Sequence, residues 1–311
     1  MQQSVHSPNA LTKPYLSSGD AHLKSNIFLS SSSKKPLVMG ILNVTPDSFS
    51  DGGRHLDFKR AQVHAERMLD EGADIIDIGG ESTRPGSLPV SVDEELKRVI
   101  PILKQIADSC DVPISVDTRK AEVAEAALEA GASIINDVSG FSNDMMELIA
   151  SSGAKAVLMH SLWDPDVMQK NVCSGTYSDV ISDMLVWAEQ RIFAAEEFGV
   201  KRSQLIFDPG IGFGKLSSHN LEIIRRCSEL KSIGLPLLIG ASRKNFIGEL
   251  TKKPPSERLG GSLAVVAAVY GCADIVRVHD VTETVDLVKV LDAIQDLSLI
   301  HISEPTRQAE I

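Results

Sequence analysis

The sequence predicts a single-domain α/β protein, a (β/α)8 or TIM barrel, from two observations. Eight short apolar runs alternate with helical segments along most of the 311 residues. The runs lack the polar alternation of half-exposed strands, which is typical of parallel strands buried on both faces. We expect a closed barrel rather than a doubly wound open sheet, because no GxGxxG follows the first run. The predicted strands are residues 37–42, 75–78, 114–116, 134–135, 156–159, 205–207, 237–239 and 275–278.

The segments between these runs have helical periodicity and helix-terminating signals. Ser91 and Glu94 form a capping-box pattern that predicts a helix start. Glycines such as Gly131 and Gly153 follow other segments, at the position where helices often end in a left-handed residue. The remaining predicted helices are residues 57–71, 120–130, 143–151, 178–198, 218–231, 256–271 and 282–296.

Composition restricts the partners and the location of the protein. Acidic residues outnumber basic ones, 42 to 31, so the net charge of −11 argues against nucleic acid or an anionic membrane as a partner. The apolar runs are too short to cross a bilayer. Four cysteines, at 110, 173, 227 and 272, lack metal-binding spacings and predict reduced thiols in a cytoplasmic protein.

The two ends of the chain differ from the repeating pattern. Residues 1–35 are rich in Ser and Lys and predict a flexible N-terminal extension. Residues 36–297 form the predicted barrel domain. Residues 298–311 fit no expected element and resemble translated cloning or sequencing-adapter sequence, so no function is assigned to this tail.

A polar residue follows every predicted strand, at the barrel end where catalytic groups lie in this fold. A single Asp or Asn there is more often a helix cap, but capping does not explain Lys244, Arg277 and His279. The full set is Asn43, Asp77, Asp117, Asn136, His160, Asp208, Lys244, Arg277 and His279.

These residues divide into two chemical sets. The carboxylates and amide, which are hydrogen-bond acceptors, suit a planar ligand with several N–H donors. Lys244, Arg277 and His279 are donors that suit a phosphate or pyrophosphate. The sequence therefore predicts a pocket for an amino-heterocycle that carries an anionic leaving group.

Two long loops with glycine and proline, within residues 40–53 and 77–86, carry very specific motifs. Together with the shorter motifs at 115–117, 135–137, 208–215, 242–244 and 277–279, they resemble the dihydropteroate synthase family over about residues 36–297. The resemblance implies a TIM barrel that dimerises. It also implies condensation of 6-hydroxymethyl-7,8-dihydropterin pyrophosphate with p-aminobenzoate, a requirement for Mg2+, and a target for sulfonamides. The products are 7,8-dihydropteroate and pyrophosphate, formed by a dissociative route.

The resemblance also implies a role for individual residues. Pterin binding falls to Asp77, Asp117, Asn136, Asp208 and Lys244. Pyrophosphate binding falls to Asn43, Arg277 and His279, with Asn43 beside Mg2+. The residues assigned to the p-aminobenzoate subsite and its lids are Phe49, Thr83, Arg84, Pro85, Phe213, Ser242 and Asn245. The catalytic set is Asp117, Lys244, Arg277, His279 and Asn43.

Two other functions stay open from the sequence. A methyltetrahydrofolate methyltransferase-type barrel shares the pterin-side Asp and Asn residues, but it has no reason to keep Lys244 beside the Arg277 and His279 pair. A non-catalytic pterin-binding paralogue would bind pterin without turnover. The family usually has Ser where this chain has Asn245, at the mouth of the p-aminobenzoate subsite, so we expect this position to affect p-aminobenzoate affinity and the sulfonamide response.

Overall fold

Eight parallel strands form one sheet in the computed structural model, which describes residues 35–45, 54–82, 87, 89–163 and 167–295. The sheet order is β6-β5-β4-β3-β2-β1-β8-β7. Phe207 pairs with Leu237 across the remaining gap, so β6 meets β7 and the barrel closes. This confirms the predicted (β/α)8 barrel. The strands are β1 (Leu37–Asn43), β2 (Ile75–Gly79), β3 (Ile114–Asp117), β4 (Ile134–Asp137), β5 (Lys155–Met159), β6 (Leu205–Asp208), β7 (Leu238–Ile239) and β8 (Ile275–Val278).

Helices alternate with the strands. They are α1 (Arg54–Asp70), α2 (Val92–Ser109), α3 (Ala121–Glu129), α4 (Asn143–Ser152), α5 (Met168–Asn171), α6 (Val180–Glu197), α7 (Ser217–Arg225), α8 (Asn245–Thr251), α9 (Leu259–Val269) and α10 (Val281–Gln295). The predicted helix over 218–231 is two elements, α7 and a 3-10 segment at Cys227–Ile233. The short helices α5 and α8 were not predicted from the sequence. None of the described helices is both long and apolar enough to cross a membrane.

Local chemistry accounts for several helix ends. Ser91 accepts a hydrogen bond from the backbone N–H of Glu94 at 3.3 Å, which confirms the predicted start of α2. The Glu94 side chain accepts from Arg98 Nε rather than completing the reciprocal box. Gly153 ends α4 in the left-handed conformation, with φ of 73°.

The barrel interior begins with an apolar layer. Successive side chains of a strand point to opposite faces, so alternate residues of each strand face inward. Residues such as Val38 and Ile76 face outward and pack in the larger core beneath the helices. Because both faces are buried, the strands are apolar on both faces up to their C-terminal residues. The inward layer consists of Met39, Ile75, Ile134, Val157, Ile206, Leu238 and Ile275.

The predicted functional groups lie one step beyond this layer. Two residues further along their strands, Asp77, Asn136, Asp208 and Arg277 share the inward face of Ile75, Ile134, Ile206 and Ile275. Strand register places Asp117 opposite Asn136. Barrel closure therefore gathers side chains that are as many as 200 residues apart in sequence.

The fold also brings two of the widely spaced, free cysteines into contact. The Sγ atoms of Cys227 and Cys272 lie 2.6 Å apart, on the 3-10 segment after α7 and the turn before β8. The predicted N-terminal extension, apart from Lys35, and the predicted tail lie outside the described residues.

Candidate active site

A polar layer, which we define as Asp77, Asp117, Asn136, Asp208 and Arg277, closes the barrel interior at the C-terminal ends of the strands. Asp77 is fully buried, and Asp117, Asn136 and Asp208 are no more than 6% exposed. Burial of so many polar groups is costly unless they are paired, so their contacts identify what the layer can hold.

Arg277 links three strands within this layer. Its Nε donates to Asp77 Oδ2 at 2.6 Å, and its Nη2 donates to Asp117 Oδ2 at 2.8 Å. Asn136 Nδ2 lies 3.4 Å from the same Asp77 oxygen. Burial alone would lower the pKa of Arg277, but the charges of Asp77 and Asp117 outweigh it and raise the pKa. The guanidinium therefore stays charged inside the barrel.

The carboxylates retain acceptor capacity. Asp77 Oδ1 is buried and accepts no hydrogen bond from the described residues. Burial raises the pKa of Asp117 to about 7, against the opposing charge of Arg277. Burial also raises the pKa of Asp208, against its hydrogen bond from Gly210 and the charges of Lys244 and Arg277. All three carboxylates can accept hydrogen bonds from N–H donors of a ligand. Asp117 and Asp208, whose pKa values are raised, can also bind a proton.

A glycine-rich loop after β6 folds back over the end of β5. Asp208 Oδ1 accepts from the Gly210 backbone N–H at 2.7 Å. A Cβ on Gly210 would lie 2.1 Å from the His160 carbonyl oxygen, so only glycine fits this close approach. The loop then brings Phe213 to the barrel mouth, where it packs with Val138 and Met159.

Lys244 lies across from this loop. Its Nζ lies 4.2 Å from the centre of the Phe213 ring, which is within range of a cation–π interaction. Burial and the charge of Arg277 lower the pKa of Lys244 to about 8, although Asp208 and Asp117 oppose the shift. The structure thus brings together Asp208, Phe213 and Lys244, which the sequence assigned to adjoining subsites.

His279 lies just beyond β8, beside the loop after β7. Its Nδ1 is 3.0 Å from Ser242 Oγ, and its backbone N–H donates to the same oxygen at 3.2 Å. Burial, followed by the charges of Arg277 and Arg243, lowers the pKa of His279 to about 3. At neutral pH the ring is therefore neutral, so it can donate one N–H to a ligand but carries no positive charge.

Asn43 ends β1 close to β2 and β3. Its Oδ1 lies 3.6 Å from where a Cβ on Gly79 would be, and the Asp117 Cβ lies 3.7 Å from that point. The described residues contain no cluster of three or more His, Cys, Asp or Glu side chains able to hold a metal. Asn43 contributes one amide oxygen, and a single oxygen does not make a protein site for Mg2+.

Other predicted residues contribute less to the described site. Asn245 begins α8, is exposed, and accepts from Arg258 at 3.3 Å through its Oδ1. Phe49, Thr83, Arg84 and Pro85 lie outside the described residues.

Sequence reasoning missed two buried ionic groups beside the site. Lys120 bridges Glu81, two residues after β2, and the fully buried Glu95 of α2. Lys215 contacts His160 beneath the loop after β6. Lys215 ends a glycine-rich loop and Lys120 follows β3 by three residues, but nothing in the sequence distinguishes a buried lysine from a solvated one.

Known proteins resemble this chain over most of its length. The family described as pterin binding enzyme matches residues 39–279. The dihydropteroate synthase of Escherichia coli K12 is 49% identical over 261 residues, which cover 83% of this chain and 91% of that protein.

Two solved structures agree with this match. A Xanthomonas albilineans dihydropteroate synthase with 4-aminobenzoic acid has a TM-score of 0.79 at 44% identity, covering 84% of this chain and 94% of the other. A Yersinia pestis dihydropteroate synthase with a sulfonamide drug has a TM-score of 0.78 at 44% identity, covering 85% and 95%.

The chain belongs to the dihydropteroate synthase family. It is therefore a transferase, and the family, fold and enzyme class predicted from the sequence are confirmed. The roles of individual residues stay predictions, which the geometry described above supports for the polar layer and Lys244.

Proposed function

We propose that this chain condenses 6-hydroxymethyl-7,8-dihydropterin pyrophosphate with p-aminobenzoate, giving 7,8-dihydropteroate and pyrophosphate. One observation carries the proposal: buried acceptors and half-buried cations lie together at the mouth of the barrel. Asp77, Asp117, Asn136 and Asp208 supply the acceptors, and Lys244 and Arg277 supply the charges.

The acceptors suit the pterin. Its ring edge carries several N–H groups, and buried carboxylate and amide oxygens satisfy such donors in a fixed geometry. Asp77 Oδ1 is buried and accepts nothing from the described residues, so we assign to it one of these N–H groups. Asp208 and Lys244 contact the ring from the β6 and β7 side.

The cations suit the leaving group. The bond between the pterin methylene carbon and its oxygen breaks first, and pyrophosphate leaves with the electron pair. Arg277 and the His279 N–H stabilise the charge on the departing oxygens, while the nearby carboxylates stabilise the cationic pterin. The amine of p-aminobenzoate then forms the new C–N bond and loses a proton.

Other parts of the proposal come from the family resemblance. Phe213, Ser242 and Asn245, with Phe49, Thr83, Arg84 and Pro85, would form the p-aminobenzoate subsite, where sulfonamides compete. Mg2+ is proposed to arrive with the pyrophosphate oxygens, with Asn43 nearby, because the described residues offer too few ligands of their own. A homodimer in the cytoplasm that binds only small molecules completes the proposal.

Pyrophosphate release tests the proposal directly. The purified protein is given the dihydropterin pyrophosphate and Mg2+, with and without p-aminobenzoate. We expect release that depends on p-aminobenzoate, with dihydropteroate formed. Lys244→Met should lose most of this activity. The same change at Lys155 should retain it, because Lys155 begins β5, at the end of the barrel away from the site.

Two results would contradict the proposal. Pterin binding by a folded protein without any turnover would indicate a non-catalytic pterin-binding paralogue. Methyl transfer from methyltetrahydrofolate without pyrophosphate release would indicate a methyltransferase-type barrel.

A further inference from the structure

Lys215 is a buried lysine with no role in the proposed chemistry. It is 3% exposed and lies at the end of the glycine-rich loop after β6. Its Nζ lies 2.9 Å from His160 Nδ1, and it donates to the carbonyl oxygens of Phe213 at 3.0 Å and His160 at 3.2 Å. An ammonium group has three N–H donors, and these three acceptors match all of them.

One side of this contact is held firmly. The His160 backbone N–H donates to the Asp208 carbonyl at 2.8 Å, which extends the pairing of β5 with β6. The His160 ring packs edge-on against Trp187, with centroids 4.8 Å apart. Lys215 therefore connects the loop after β6 to a fixed point at the end of β5.

The other side would be loose without an anchor. Phe213 stands between Gly212 and Gly214, whose φ values of 82° and 56° lie in the left-handed region. Glycine loses the most conformational freedom on folding, so such a segment needs contacts to hold one conformation. Asn220 holds the Gly212 N–H at 2.8 Å, and Lys215 holds the Phe213 carbonyl.

Phe213 connects this anchor to the candidate active site. Its ring is 8% exposed and faces Lys244 Nζ at 4.2 Å. A shift in the Phe213 backbone would move the ring away from Lys244 and alter the shape of the subsite beside it. Lys215 itself is buried beneath the loop, where its hydrogen-bond partners are the His160 ring and two backbone carbonyls rather than a member of the polar layer.

We propose that Lys215 is a positioning residue, which fixes Phe213 for p-aminobenzoate by tying its carbonyl to His160. This inference rests on the proposed function, because it assigns Phe213 to the p-aminobenzoate subsite. It predicts that loss of the Lys215 amine acts mainly on the second substrate.

The test compares Lys215→Met with Lys155→Met in the full chain. Lys155 lies at the start of β5 and donates to the Ser203 carbonyl at 2.6 Å, so the same change also removes a lysine–carbonyl hydrogen bond, but away from the site. For Lys215→Met we expect the KM for p-aminobenzoate to rise about tenfold, with kcat and the pterin KM within about threefold. Lys155→Met should leave all three constants near wild type.

A double-mutant cycle with Phe213→Leu tests the route of the effect. If Lys215 acts through Phe213, the two changes together should raise the p-aminobenzoate KM little more than Phe213→Leu alone. His160→Phe keeps an aromatic ring beside Trp187 and the backbone carbonyl, but it removes the ring nitrogen that accepts from Lys215. It should raise the same KM by a smaller factor, and it tests the inference if Lys215→Met does not fold.

The outcomes separate the two proposals. Wild-type protein without p-aminobenzoate-dependent turnover would contradict the proposed function itself. An active wild type in which Lys215→Met lowers only the melting temperature, or raises both KM values equally, would overturn the positioning role. Multiplicative effects of Lys215→Met and Phe213→Leu would also overturn it, because independent residues behave in that way.

Discussion

The two sides of the candidate active site stabilise buried charge differently. On the β2/β3/β8 side, Arg277 is held by two carboxylates, Asp77 and Asp117, at 2.6 and 2.8 Å. On the β6/β7 side, the contacts of Lys215 are two carbonyl oxygens and an imidazole. Lys244 there faces the ring of Phe213.

This difference has an electrostatic consequence. Opposite charges raise the pKa of Arg277, so it remains a cation at any physiological pH. On the β6/β7 side the charge of Asp208 offsets desolvation only in part, so burial lowers the pKa of Lys215 to about 7 and that of Lys244 to about 8. The β2/β3/β8 side should therefore be sensitive to broken ion pairs, and the β6/β7 side to pH.

Removing Arg277 should have the largest effect. Arg277→Met leaves Asp77 and Asp117 buried without their partner, which costs about 3–5 kcal/mol of unfolding free energy. Loss of the cation at the leaving group should also lower kcat/KM about 1,000-fold. Urea denaturation and steady-state kinetics measure the two effects.

The pH dependence of stability provides a check on this cause. Burial already raises the pKa of Asp117 to about 7, and removing Arg277 removes the main opposing charge. Because the pKa of Asp117 is higher in the folded protein, its contribution to stability is full below its pKa in the unfolded chain, about 4. That contribution is lost as pH rises through its pKa in the folded protein. Arg277→Met should thus recover stability as pH is lowered from 8 to about 5.

Arg226→Met is the matched control. Arg226 also bridges acidic residues, here Asp179, Glu222 and Glu229, but it lies outside the barrel. It should have near wild-type activity, and its stability should not recover at low pH. A similar recovery in this variant would show that the effect does not come from the polar layer.

The second prediction concerns Lys244 and the opposite side of the site. Its pKa of about 8 means that the ammonium loses its proton as pH rises through that value. We expect kcat/KM to fall about tenfold per pH unit above it, because kcat/KM reports the free enzyme. Lys244→Arg should be slower but should lack this alkaline limb, since a guanidinium stays charged. An unchanged limb in that variant would assign the titration to another group.

Strand positions were predictable because burial on both faces leaves a strong sequence signal. The predicted strand at 114–116 differs from β3 by one residue, Asp117, which is itself in the polar layer. Helix boundaries were less well predicted. The segment 218–231 is periodic throughout, but Arg226 interrupts the α-helix at the C-cap of α7, where tertiary contacts outweigh local propensity.

Which residues face the site was predictable from their positions along the strands, whereas which side chains bond to each other was not. Residues two positions beyond an inward apolar residue must face inward, so the positions of Asp77 and Asp208 follow from the strands. The sequence separated acceptors for pterin from donors for pyrophosphate. The structure joins the sets, because Arg277 donates to two of the acceptors. Such partners depend on barrel closure, which a sequence alone does not measure.

The third prediction concerns Phe213. Phe213→Leu removes the ring that faces Lys244 Nζ, an interaction worth about 0.5–2 kcal/mol at partly buried sites. We expect the KM for p-aminobenzoate to rise about fivefold to tenfold, with little change for the pterin substrate. The pKa of Lys244 should change little, since burial is the main cause of its lowered value. The fall of kcat/KM above pH 8 should therefore remain. Equal changes in both KM values would contradict the assignment of Phe213 to one subsite.

The smallest expected effect belongs to Ser242. Its hydroxyl lies 3.0 Å from His279 Nδ1 and accepts from the His279 backbone, so it orients a neutral ring rather than holding a charge. A neutral hydrogen bond contributes about 0.5–1.5 kcal/mol, so Ser242→Ala should raise the KM for the dihydropterin pyrophosphate about two- to tenfold. The p-aminobenzoate KM would separate two roles for this residue, since the sequence placed Ser242 in that subsite. A change confined to the pterin substrate would move Ser242 to the pyrophosphate side with His279, and a change confined to p-aminobenzoate would support the original assignment.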